Sequence, residues 1–228
     1  MPTVLITGVM RGLGLEFVRQ YAADGWRVVG TGRNLDHLDD FEGLFGESGR
    51  SLDLHELDLR NVGDVDEFGA RLPAGEIDLF IANAGMMGPR HIEAEDDAEE
   101  WRETLTVNAV APVLLAQRLR NRLAASGGKA VAITSRMGSI AENSSAGAIA
   151  YRSSKAALNA AWKSLALAFE KDGIAAAVLH PGWVQTDMGG RSAPITPEQS
   201  VAGMRRVIAG LTPGKFGFYN YDGASIPW

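Results

Sequence analysis

In the stretch Tyr151-Arg152-Ser153-Ser154-Lys155, a phenol and an ammonium stand four residues apart. On a helix, positions i and i+4 share a face, so both groups can point into one cavity. A free phenol, with a pKa of about 10, is a poor acid at neutral pH, and a neighbouring cation favours the phenolate and lowers that value. The pair is a candidate proton donor, though the same spacing on its own far more often marks two solvated residues on an exposed helix. A second chemical feature lies at the other end of the chain. Thr7-Gly8-Val9-Met10-Arg11-Gly12-Leu13-Gly14 follows a short apolar run at 3–6 and precedes an amphipathic segment at 15–23. Strand, glycine-rich turn and helix in that order make a phosphate cradle. Glycine permits the tight turn and close backbone approach, and the helix N-terminus offers free N–H groups and a positive dipole.

The elements between these two features supply further candidates. A second strand at 26–31 ends at Gly32 and Arg33. In dinucleotide folds this position meets the adenosine ribose, where an acid binds the 2′-hydroxyl and an arginine accommodates a 2′-phosphate. With no acid at Gly32, Arg33 and the nearby Arg11 favour NADP(H) over NAD(H). Residues 34–49 read as a helix and loop. An alternating stretch at 51–59 suits a more exposed strand, closed by Asp58 and Leu59; Asp58 could accept from an adenine amino group or cap a helix starting near Asn61. A fourth strand at 77–82 ends in the small-residue turn Asn83-Ala84-Gly85. Acidic residues at 93–103 open a long helix running to about residue 125 and complement its dipole. Asn108 lies within it, four residues before Pro112, which predicts a local kink that exposes polar groups to water.

A fifth strand at 129–134 leads to Ser135, a hydroxyl at a strand end, where open α/β sheets bind ligands. A small-residue loop at 140–149 then enters the Tyr151 helix. That helix is apolar nearly all round, which predicts burial on both sides, one against the sheet and one at a subunit interface. A sixth strand at 174–179 ends in His180-Pro181-Gly182-Trp183-Val184-Gln185-Thr186-Asp187, and His180, with no acid or nucleophile signature beside it, reads as a packed residue. Residues 194–210 suggest an approach and a helix, and 215–219 a last strand. Five methionines (Met10, Met86, Met87, Met137 and Met188) fall in loops after strands, which raises the possibility of a soft apolar mouth around the crevice; ordinary loop packing accounts for them equally well.

Composition narrows the classes. The chain has 228 residues, 46% hydrophobic and 22% charged, enough to bury a full core. A net charge of −6 gives no electrostatic footprint for nucleic acid or an anionic membrane. The absence of cysteine rules out disulfides and thiolate catalysis, and the four histidines show no metal-ligand spacing. No apolar run reaches about 18 residues, and strand-like sequence starts at Thr3, so a cytoplasmic location is expected.

The ordered set Thr7-Gly8-x-x-x-Gly12-x-Gly14, Asn83-Ala84-Gly85, Asn108, Ser135, Tyr151-x-x-x-Lys155 and Pro181-Gly182-x-Val184-x-Thr186 resembles the short-chain dehydrogenase/reductase family, and covers nearly the whole chain. The stretches around Arg11-Gly12-Leu13-Gly14 and Ser135-Arg136-Met137-Gly138-Ser139-Ile140, with the final Ile226-Pro227-Trp228, resemble its C-factor-like and sniffer-like carbonyl reductase branch. The resemblance implies a single α/β Rossmann-fold domain over 1–228, doubly wound, with a seven-stranded parallel sheet in the order 3-2-1-4-5-6-7 and a short substrate-side segment at about 187–212. It implies hydride transfer between NAD(P) and a small-molecule carbonyl or alcohol. Tyr151 would be the general acid, Lys155 would bind the nicotinamide ribose and lower the tyrosine pKa, Ser135 would hold the substrate oxygen, and Asn108 would anchor a water in a proton relay. Val184 and Thr186 would contact the carboxamide, and Asn83 to Gly85 would support the cofactor. A homodimer or homotetramer through helices 98–125 and 150–171 is expected. Two departures matter: Ala82 stands where the family usually has Asn, and the long spacing between Ser135 and Tyr151 leaves Ser139 open as the catalytic hydroxyl. A regulatory protein of the C-factor type with incidental turnover is the alternative from another class.

Overall fold

Short apolar runs become strands buried on both faces, because helices cover each side of the sheet they form. The computed structural model describes residues 1–36, 41, 52–72 and 75–228. Its strands are β1 (Thr3–Thr7), β2 (Arg27–Gly32), β3 (Leu52–Glu56), β4 (Leu79–Ala82), β5 (Lys129–Ile133), β6 (Ala175–His180) and β7 (Phe218–Asn220). They pair in parallel in the order β3-β2-β1-β4-β5-β6-β7, as expected. The helices of the described residues are α1 (Gly12–Ala23), α2 (Val62–Arg71), α3 (Glu95–Leu105), α4 (Ala111–Ser126), α5 (Ile149–Glu170) and α6 (Pro197–Ala209). The helix and loop expected over 34–49 fall largely outside the described residues.

Strand side chains alternate between two cores. Phe80, Ala130, Ala132, Ala176 and Val178 face Leu115, Leu119, Leu158 and Trp162 on one side. Val4, Ile6, Ile81, Val131 and Leu179 face Phe17, Val18, Val201 and Met204 on the other. Trp162 is fully buried, and its indole N–H donates to the Ala130 carbonyl at 3.4 Å. The third strand is shorter than the expected 51–59. Leu57 keeps one bond to β2, its N donating to Gly32 O at 2.8 Å, and the side chains of Leu57 and Leu59 are buried in the first core.

The long acidic-headed helix is interrupted where Asn108 and Pro112 foretold. Thr106–Val110 forms one π turn between α3 and α4, and Pro112 sits in the first turn of α4, where its missing N–H costs little. The polar groups do not open to water as expected. Asn108 is 1% exposed and bonded to protein on every side, because the wider turn lets its amide reach the β4 loop. After β7 the chain folds back on itself: Ile226 N donates to Phe218 O at 2.8 Å, and the Trp228 ring stacks on Phe216 with centroids 5.4 Å apart. The Trp228 carbonyl accepts from Ala141 N at 2.9 Å and so pins the loop that leads into α5.

Candidate active site

Four side chains meet where β4 and β5 end and α5 begins. Ser135, two residues beyond β5, caps a short 3₁₀ turn (Arg136–Gly138), with its Oγ accepting from Met137 N at 3.1 Å. Tyr151, 7% exposed, shares a hydrogen bond with the Ser135 hydroxyl. Lys155, one helical turn on and 3% exposed, directs its Nζ to the Ile133 carbonyl at 2.8 Å, and the same Nζ lies 5.8 Å from the Tyr151 ring centre. Asn108 Oδ1 accepts from Met86 N at 2.9 Å, while its Nδ2 donates to Met86 O at 2.8 Å and to Ser154 Oγ at 2.9 Å. Ser154 in turn donates to the Tyr151 carbonyl at 2.8 Å. The π turn, the β4 loop and α5 are thereby tied together. Two glycines keep the space open. A Cβ on Gly85 would come within 3.2 Å of Asn108 Oδ1 and 3.4 Å of Lys155 Nζ, and one on Gly138 would meet Lys155 Cβ at 2.8 Å.

Burial sets the proton chemistry here. It pushes the Tyr151 phenol up to about 12, against a smaller lowering by the Ser135 hydrogen bond. It pulls Lys155 down to about 8. The expectation that Lys155 lowers the tyrosine pKa is therefore corrected for this arrangement: the ammonium turns to the Ile133 carbonyl, and desolvation outweighs it. His180 is held down at about 4 by burial first and by Arg136 second, so it is neutral and packed at physiological pH, as the sequence indicated. Ser139 is 1% exposed and its Oγ accepts from Glu142 N at 3.1 Å inside its own loop. Of the two candidate serines, Ser135 is the one that meets Tyr151.

The glycine turn at the end of β1 has the features of a phosphate cradle. Arg11, at the N-cap of α1, makes no side-chain cap and no acid occupies the first turn, so the N–H groups at Gly12 to Gly14 face outward without a local acceptor. Gly8 has φ +71°, and a Cβ there would lie 2.9 Å from Ala84 Cα; one on Gly14 would lie 2.0 Å from the Gly8 carbonyl oxygen. The Thr7 hydroxyl accepts from Asn83 N and Ala84 N, both at 3.1 Å, and Asn83 Nδ2 returns bonds to the Thr7 and Gly8 carbonyls at 2.9 and 3.1 Å. These residues suit a dinucleotide pyrophosphate. Leu13 packs against the second core behind them.

At the adenosine end, Met10 lies across Gly32, whose added Cβ would meet Met10 Cγ at 2.5 Å, so no acid fits there without displacing it. Arg33 is exposed beside Asp58. Asp58 is held below the usual carboxylate range mainly by its bonds to Arg60, with Arg33 adding to the field. Its alternative as a helix cap is corrected: Asn61 caps α2, accepting from Gly63 N at 3.0 Å. Leu59 offers only backbone, its side chain being in the core. Arg11 does not join Arg33. Its guanidinium reaches the other way, to Asp187 Oδ2 at 2.6 Å. The turn carrying Asp187 is built from Pro181, whose carbonyl accepts from Ser200 Oγ at 2.6 Å, Gly182 at φ +84°, the buried Val184, and Thr186, whose N donates to Val184 O at 2.8 Å.

The loop methionines take different roles. Met10 serves the adenosine end, Met86 and Met137 join the site through backbone N–H groups, and Met188 is about half exposed on its loop. Among the described residues no cluster of acids and histidines could hold a metal ion, and no helix is long and apolar enough to cross a membrane. The sequence reasoning missed Ser154, Asp187 and the Trp228 clamp. Ser154 was findable, being three residues from Tyr151 on its own helix face.

Comparison with known proteins agrees with this geometry. The short chain dehydrogenase family pattern matches residues 2–194. The C-signal of Myxococcus xanthus is 42% identical over 163 residues, covering 71% of this chain and 98% of that protein. The structure of the carbonyl reductase Sniffer of D. melanogaster superposes with a TM-score of 0.90 at 32% identity, with both chains covered in full. That of the NADPH-bound carbonyl reductase from chicken fatty liver gives 0.86 at 30% identity, covering 100% of this chain and 99% of that one. With the sheet order, the glycine turn and the Ser135–Tyr151–Lys155 cluster in place, the chain belongs to the short-chain dehydrogenase/reductase family of oxidoreductases, in the branch of C-signal and the sniffer carbonyl reductase.

Proposed function

We propose that this chain reduces a ketone or aldehyde to an alcohol with NADPH, Tyr151 delivering the proton. The observation that carries the proposal is the buried hydroxyl pair of Tyr151 and Ser135 beside the Lys155 ammonium. Bound in the crevice, NADPH supplies a hydride to the carbonyl carbon. Negative charge then grows on the substrate oxygen, where the Tyr151 and Ser135 hydroxyls are donors. A phenol raised to about 12 is fully protonated at neutral pH and so enters the reaction as an acid. Lys155 would hold the nicotinamide ribose, and once there its charge would favour the phenolate that remains. Asn108, its side-chain carbonyl and amide both bonded to the β4 loop and α5, would anchor a relay water beside Lys155.

Thr7, Gly8, Met10, Arg11, Gly12, Leu13 and Gly14 would cradle the pyrophosphate end, Asn83, Ala84 and Gly85 the central part, and Pro181, Gly182, Val184 and Thr186 the carboxamide. Preference for NADPH over NADH rests on Gly32 in place of an acid and on the exposed Arg33, with Asp58 and the Leu59 backbone near the adenine. The NADPH-bound avian neighbour supports it. We further propose one functional domain over 1–228 with residues 187–212 bordering the substrate, working in the cytoplasm as a homodimer or homotetramer through the helical segments 98–125 and 150–171, where Val110 of the π turn and Leu167 of α5 are exposed. The C-factor-type regulatory reading is less favoured, because a binding role alone does not call for the full Asn108, Ser135, Tyr151 and Lys155 set. Consumption of NADPH with a panel of carbonyl compounds, abolished in Tyr151→Phe, tests the proposal; a purified chain that binds neither dinucleotide overturns it.

A further inference from the structure

The Arg11–Asp187 ion pair joins two strand ends that are not neighbours. Arg11 follows β1 and Asp187 follows β6, and β4 and β5 lie between them in the sheet. Three inter-strand spacings amount to about 14 Å. The segment after β6 and the glycine turn must therefore close the distance across the ends of β4 and β5. A second contact shows that they do: a Cβ on Gly12 would lie 3.3 Å from Thr186 Cγ2. The turn that carries Asp187 is stiff. Gly189 N donates to Thr186 Oγ1 at 3.2 Å, and Gly190 N donates to Thr186 O at 2.8 Å. Beside that packing contact, the ion pair bridges this turn to the opposite wall through side chains that are 79% and 73% exposed.

We propose that Arg11 and Asp187 form a latch over the cofactor crevice: Asp187 is a positioning residue that holds the Val184–Thr186 turn against the bound dinucleotide and slows its departure. This rests on the dinucleotide-binding reading above. A cofactor lying along the ends of β1, β4 and β5 passes beneath the bridge, so it leaves only when the pair opens. Because Arg11 faces away from Arg33, the latch acts on both dinucleotides alike. Exposed ion pairs are weak, so the effect is modest, about twofold to fivefold in dissociation rate.

Dissociation of NADPH and NADH from the purified protein, followed by stopped-flow fluorescence, tests this. At low salt, Asp187→Asn and Arg11→Gln each speed release of both dinucleotides about twofold to fivefold, Asp187→Glu restores the wild-type rate, and the double variant is no faster than either single one. Raising salt from about 0.05 M to about 0.5 M speeds release from the wild type more than from Asp187→Asn, so that the two rates converge, a readout that a merely structural role would not move. An effect confined to NADPH overturns the latch in favour of Arg11 serving the 2′-phosphate. So does additivity of the two substitutions, or an unchanged release rate in Asp187→Asn while binding stays normal. Failure of the wild type to bind either dinucleotide sinks the underlying functional reading and the latch with it.

Discussion

The two ends of the crevice are built on opposite principles. At the catalytic end, Ser135, Tyr151, Lys155 and Asn108 are almost wholly buried, and each polar atom has a fixed protein partner. At the adenosine end the charged groups, Arg33, Arg60 and Asp58, stand largely in water and trade partners at little cost. Burial moves proton affinities by units, whereas exposed charge shifts affinities by small factors. Reaction chemistry therefore belongs to the end that excludes water, and choice of cofactor to the end that does not.

Substitutions at the two ends should differ accordingly, and the largest effect is expected at Tyr151. Tyr151→Phe lowers kcat by about 10²- to 10⁴-fold while the dinucleotide Kd stays within about twofold; a parallel loss of binding would erase the contrast between the ends. Lys155 tests burial through stability. Its charged form is disfavoured in the fold, so between about 8 and the ordinary value of 10.5 the unfolded chain binds more protons and stability climbs with pH. The unfolding free energy from urea titrations should rise between about pH 7.5 and about pH 9.5 for the wild type relative to Lys155→Met, by about 2 kcal/mol. Tyr151, raised to about 12, acts in the reverse sense: from its ordinary 10.0 upward the fold keeps a proton that the unfolded chain loses, and stability falls. Asn108→Ala strands the Met86 N–H and carbonyl and should cost about 2 kcal/mol in urea unfolding. Arg33→Ala should weaken NADPH binding about tenfold and leave NADH unchanged, read by fluorescence titration. Equal weakening of both would move cofactor choice away from that residue.

What could be read from the sequence follows the same division. Runs such as Val4-Leu5-Ile6 and Ala130-Val131-Ala132 announce doubly covered strands because nothing else buries such segments so completely. Tyr151 and Lys155 announce themselves by helical spacing. The break at Asn108 was legible because asparagine and a following proline both disfavour a regular helix, yet its outcome was not, since the partners that bury Asn108 come from the β4 loop and α5. Arg11 could not be directed in advance: its partner, Asp187, is 176 residues away and meets it only once the sheet order is set. The choice between Ser135 and Ser139 likewise depends on a loop held by Trp228 from the far end of the chain. The tyrosine pKa was misjudged for a similar reason, because spacing shows a nearby cation and does not show how dry the cavity is.

The widened turn at Thr106–Val110 carries one residue more than an α-helix would place there. Excising a single residue from it would place Pro112 in the interior of a continuous helix, where its missing N–H and its ring disrupt the backbone bonding, and would withdraw the amide that reaches Met86 and Ser154. The fold and the active centre thus depend on the same extra residue: it gives the proline a helix start to sit in and gives the site its asparagine.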